Sequence, residues 1–190
     1  MYKEKGSRFI CYLYPVKDEE EIRLLLVRVK KEHHSARHHC YAWRLGTETL
    51  SSRSSDDGEP SGTAGKPILG QITANDLTNV LIVVVRYFGG ILLGTGGLVQ
   101  AYRSAAADAI EKSELIAIEP EYSLEVICRY EHLNQVYQII HALGIRVMES
   151  YLEGQCRLVI AAGKTSIEPA AQQMEKIYGV KTGIPVLING

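Results

Sequence analysis

Residues 81–85, Leu-Ile-Val-Val-Val, form an unbroken apolar run in which four of the five side chains are β-branched. A half-wet strand alternates apolar and polar positions; a short β-branched run without polar positions reads as a strand buried on both faces. Any sheet built around it needs cover on each side. The run leads through Arg86 and a Gly89-Gly90 turn into an alanine-rich stretch, predicting a helix from about Gly96 to Glu111. Upstream, Ile22, Leu25, Leu26 and Val29 share one helical face, and Asp18 with Glu21 has capping-box spacing, which predicts a helix over 18–32. Strand candidates at 9–14 and 39–44 flank it, giving a β-α-β opening. From Gly46 to Lys66 the chain is polar and rich in Ser, Gly, Thr and acids, which predicts one long loop.

After Pro120 the pattern changes. A strand at 123–129 precedes a helix carrying Leu133, Val136, Tyr137 and Ile140 on one face and stopped by Gly144. Strands at 145–151 and 156–161 follow, then a helix with Thr165 and Glu168 as a capping box and Ala170, Ala171, Met174 and Ile177 buried, and a last strand over 180–188. This order is β-α-β-β-α-β, the split β-α-β or ferredoxin-like plan. The expected fold class is α+β: an N-terminal α/β domain over 1–120 and a ferredoxin-like domain over 121–190, with the boundary near Glu119–Tyr122.

With 190 residues, 46% apolar and 23% charged, the chain has an ordinary globular composition. Twenty-one basic against twenty-two acidic residues leave a net charge of −1, so a polyanion site has to be a local patch. Cys11, Cys40, Cys128 and Cys156 have no zinc-like spacing and each sits in a strand candidate, as small core hydrophobes do in a reducing cytoplasm. The longest uncharged run, 87–102, spans 16 residues with five glycines and is too short for a membrane span. No cofactor motif is present.

Three constellations carry chemistry. Between Arg28 and Arg44 lie His33, His34, His38 and His39. His34 and His38 have i, i+4 spacing, but the helix is expected to end beside His34 and no acid or thiol completes a metal set. His39 is expected to be partly buried beside Cys40 and Trp43. The second, residues 54–67, packs Asp56, Asp57, Glu59, Ser61, Thr63 and Lys66 into one loop, either for a hard cation or as carboxylates that accept backbone N–H groups and pin the loop. The third, residues 84–105, runs a buried strand through a glycine turn into a helix headed by Gly94, Thr95, Gly96 and Gly97, with Arg86 before it and Arg103 two turns along. A helix start of this kind presents free N–H groups to an anion. It matches neither the Walker nor the Rossmann fingerprint.

The segments SRFI at 7–10, ARHHCYAW at 36–43, SDDGEPSGTAGKPIL at 55–69 and VVRYFGGILLGTGGLVQAY at 84–102 together resemble the IMPACT family, in particular its bacterial two-domain branch. The resemblance implies a ribosomal-protein-like N-terminal domain, a second domain similar to a translation-factor domain, and a link to translation. Eukaryotic relatives regulate the starvation-response kinase pathway through a ribosome-associated scaffold, but nothing in this chain resembles the domain they use for it. His39, Asp57, Glu59, Arg86 and the glycines at 89, 90, 94, 96 and 97 fall on the shared motifs, without an implied reaction.

The leading expectation is a cytoplasmic, translation-associated protein that binds RNA or a ribosomal component through His39, Asp57, Glu59, Ser61, Thr63, Lys66, Arg86, Gly94–Gly97 and Arg103. Two alternatives stand beside it. One is a phosphate-ester or nucleotide enzyme using His39, Asp57 and Glu59; the other is an adaptor, or a self-associating protein, acting through its C-terminal domain.

Overall fold

A computed structural model describes residues 1–189. The chain forms two compact units, Met1–Ile116 and a second beginning at Ala117. The two-domain α+β expectation holds.

The first unit contains β1 (Tyr2–Glu4), β2 (Ser7–Pro15), α1 (Glu19–Glu32), β3 (His38–Leu45), β4 (Ser51–Ser55), α2 (Gly65–Ala74), β5 (Val80–Tyr87) and α3 (Gly94–Glu111). Its sheet is antiparallel throughout, in the order β1-β2-β5-β3-β4. The apolar run is therefore the central strand, and Leu81 to Val85 are fully buried. Period-two geometry divides it between two cores. Val80, Ile82 and Val84 face α2 and α3 through Ile68, Ile72, Leu98 and Tyr102, whereas Leu81, Val83 and Val85 face Ile22 and Val29 of α1 beside Trp43. Each of these side chains contributes roughly 1.5–3 kcal/mol by leaving water. The α1 cap forms as its sequence predicts: Asp18 Oδ1 accepts from Glu21 N at 2.8 Å, while Glu21 reaches back to Lys17 N at 3.0 Å.

The polar span 46–66 is not one loop, because β4 pairs with β3 inside it and α2 begins at Gly65. A helix of ten residues holding Gly65, Pro67 and Gly70 looks like turn sequence, yet Pro67 sits in the first turn, where a missing N–H costs nothing. The α3 helix also starts two residues earlier than expected, at Gly94.

The second unit contains β6 (Glu121–Cys128), a 3-10 turn at Tyr130–His132, α4 (Leu133–Ala142), β7 (Arg146–Tyr151), β8 (Cys156–Gly163), α5 (Lys164–Met174), β9 (Lys181–Thr182) and β10 (Val186–Asn189). Its antiparallel order β10-β6-β8-β7 is the ferredoxin-like arrangement. Leu124, Val126, Leu158 and Ile160 pack against Val136, Ile140, Ile167 and Met174 in its core. Two local expectations fail. The N-cap of α5 is Gly163, so Thr165 lies inside the helix and no Thr165–Glu168 box forms. The last strand is broken into β9 and β10 because Pro185 between them has no N–H to donate.

Candidate functional site

The 55–65 segment is held by its own carboxylates. Asp56 Oδ1 accepts from the backbone N–H groups of Ala64 (2.9 Å) and Gly65 (2.8 Å), and its Oδ2 from Gly62 (2.8 Å). A residue nine positions upstream thus satisfies N–H groups at the start of α2, which has no side-chain cap of its own. Burial alone would push the Asp56 carboxyl up; the three N–H donors, with Lys66 at longer range, outweigh it and hold it below the usual carboxylate range.

Asp57 ties this segment to β3 and α1. Its Oδ2 accepts from His39 N at 2.7 Å, its Oδ1 from Lys30 Nζ at 3.0 Å, and its carbonyl faces His38 Nδ1 at 2.9 Å. Here too burial opposes and is outweighed, by the His39 N–H and Lys30, so the carboxyl lies below its ordinary value. The His39 ring is buried: Nε2 donates to the His33 carbonyl at 3.1 Å and Nδ1 stands 3.5 Å from Asp57 Oδ2.

Glu59 and Arg86 are committed to each other. Glu59 Oε1 accepts from Arg86 Nη1 at 2.7 Å and from the Tyr102 hydroxyl at 2.8 Å, with the two charged side chains 4% and 7% exposed. The Arg86 guanidinium also lies over the rings of Phe9 and Phe88, and its Nη2 is 3.5 Å from Ser7 Oγ. The sequence reading has Arg86 facing an anion from outside; the structure turns it inward because β5 is central and position 86 belongs to the α2–α3 face of the sheet. Beside the pair, Cys40 Sγ lies 2.9 Å from the Asp56 carbonyl and 3.3 Å from the Tyr102 hydroxyl. Burial pushes the Cys40 thiol up to about 12, so it stays protonated at neutral pH, and burial likewise raises Tyr102.

The remaining candidates separate. Thr63 is buried with its hydroxyl on the Pro60 carbonyl at 2.7 Å, and Ser61 is exposed. His34 lies beyond the end of α1 and His38 on β3, so their i, i+4 spacing is not helical. Among the described residues no group of three His, Cys, Asp or Glu is placed to hold a metal ion. Gly94, Thr95 and Gly96 are exposed at the head of α3, whose first turn has no side-chain cap and no acid. Gly89 serves the fold instead, since a Cβ there would lie 1.9 Å from the Gly6 carbonyl carbon and the β1–β2 hairpin tip rests on its bare backbone.

Two candidates meet in the open. Lys66 of α2 and Arg103 of α3, both exposed, line one pocket of about 530 Å³ between the two helices, together with Gly62, Pro67, Gly70, Gln71 and Val99. No carboxylate lines it. Sequence reasoning found the two cations but missed Tyr102 at the buried centre and Gly70 and Gln71 in the groove. Tyr102 had a signal: it falls on the Leu98, Ala101, Ala105 stripe, which places its hydroxyl inside, where it needs a partner.

Comparison with known proteins fixes the family. Residues 5–110 match the model of the Impact N-terminal domain. The chain belongs to the IMPACT family. It is 38% identical over 180 residues to an IMPACT family member of Haemophilus influenzae, covering 92% of this chain and 86% of that one. It is 40% identical over 150 residues to IMPACT family member YigZ of Escherichia coli, covering 77% and 72%. A solved crystal structure of a hypothetical protein, 30% identical, superposes with a TM-score of 0.66 over 99% of this chain and 92% of that one, so the likeness to it extends through both units. In this IMPACT chain no helix among the described residues is long and apolar enough to cross a membrane.

Proposed function

We propose that this IMPACT family member is a translation-associated regulatory protein of the cytoplasm that binds RNA or a ribosomal component on the α2–α3 face of its first unit. The translation link comes from family membership. The binding face rests on one observation: Lys66 and Arg103 project from neighbouring helices over a groove without a carboxylate, and neither forms an ion pair among the described residues. Such cations contact phosphates, and the uncapped glycine start of α3 adds N–H donors on the same helix. The buried carboxylates and Arg86 then act as the frame that holds α2 and α3 in place.

The acid–base reading of His39, Asp57 and Glu59 lacks comparable support. His39 and Asp57 meet, but Glu59 is held by Arg86 and Tyr102 instead of facing them.

Fluorescence anisotropy with labelled RNA across a salt series tests the proposal. The expected result is an affinity that falls as salt rises, with the log–log slope reduced by about one for each of Lys66→Gln and Arg103→Gln. Absent or salt-independent binding overturns it.

A further inference from the structure

Gly70 has no reason to be glycine that the fold itself supplies. It lies inside α2, its φ is not in the left-handed region, and a Cβ placed on it would meet nothing within 4 Å. Glycine within a helix is less stable there than alanine, because the unfolded chain loses more freedom and no side chain packs in return. Gly89 is explained by the backbone lying on it, and Gly62 by its φ of +78°. Gly70 is explained by neither, and it lines the Lys66–Arg103 groove.

We infer that this groove seats one nucleotide of an unpaired RNA strand, with Gly70 as the position that sets specificity, an inference that rests on the RNA reading above. The open space above Gly70 lets a ligand approach the helix backbone itself. The volume of about 530 Å³ suits a unit of nucleotide size. Lys66 and Arg103 bracket a phosphate from the two sides, and half-buried Val99 provides an apolar surface for the sugar or base. Gln71 offers an amide that both donates and accepts, as a base edge requires. An unpaired strand presents the base face and edge that Val99 and Gln71 meet, whereas a duplex keeps them inside its stack.

The test is anisotropy on the full chain with one RNA sequence, single-stranded and as a duplex, for the wild type, Gly70→Ala and Gly70→Gln. Both side chains extend into open space and are better helix formers than glycine, so the thermal midpoint is expected to hold or rise. Affinity for the single strand is expected to fall about fivefold with alanine and at least tenfold further with glutamine, at an unchanged salt slope because the cations are intact. Wild-type affinity for the duplex should be well below that for the single strand. Gly70 variants that bind like the wild type, or equal affinity for strand and duplex, overturn the groove assignment and leave the RNA reading standing. No affinity for either RNA overturns both.

Discussion

The two units place their charges differently. In the first, Glu59 and Arg86 are almost wholly buried and joined by Tyr102, while Asp56 and Asp57 are bonded to backbone N–H groups. In the second, ion pairs lie on the surface: Arg146–Glu121 has side chains 59% and 30% exposed, and Arg157–Glu125 is similarly open. Among the described residues, the buried charged side chains belong to the first unit. A buried pair is a poor source of net stability, because desolvation offsets most of the attraction. What it adds here is definition: it fixes the 55–65 segment, the end of β5 and the middle of α3 against one another at a single point.

Breaking that point should have the largest effect. Arg86→Met leaves the Glu59 charge buried beside Tyr102 alone, and about 3–5 kcal/mol of stability is expected to be lost. Urea unfolding followed by the fluorescence of Trp43, the single tryptophan and a core residue of the first unit, measures it there. An Arg86→Met unfolding midpoint equal to the wild type would mean that the pair defines nothing. Gly89→Ala comes next, because its Cβ forces the β1–β2 hairpin tip aside; about 2–3 kcal/mol is expected by the same probe.

Asp56→Ala should cost about 2 kcal/mol by leaving three N–H groups without their acceptor, with part of the loss recovered in Asp56→Asn. The same bonds set a pH dependence. Asp56 and Asp57 lie below their ordinary value in the folded protein, so their contribution is complete above about pH 4 and is lost as pH falls through the lower folded values. Acid titration of the Trp43 signal should therefore bring the Asp56→Ala and wild-type midpoints together at low pH; a constant gap would contradict the assignment. Smallest of all is Arg146→Gln in the second unit, expected to change stability by less than about 1 kcal/mol in a circular-dichroism melt. A larger effect would erase the contrast between the units.

Much of the fold was legible because it depends on periodicity. The 81–85 run, the Ile22–Val29 stripe and the helical stripes at Leu133–Ile140 and Ala170–Ile177 each state which faces are buried. The α2 helix was hidden, since its cap comes from Asp56 across nine residues and its interior holds Pro67 and Gly70, which locally argue for a turn. The candidate site was half legible. Residue types picked out Asp56, Glu59, Arg86, Lys66 and Arg103, but whether an arginine points at a ligand or into the core depends on strand order, and pairing through β5 is a long-range fact that no local window contains.

The place of β5 also bears on synthesis. β2 and β3 are not neighbours in the sheet; β5 lies between them and follows both by decades of residues. Until residue 87 has cleared the ribosome, the nascent chain holds the four outer strands and two helices of the first unit around a gap one strand wide, with both apolar faces unclosed. The last long strand to emerge is the one that completes the sheet, so the first unit is expected to fold in a single late step during its own translation.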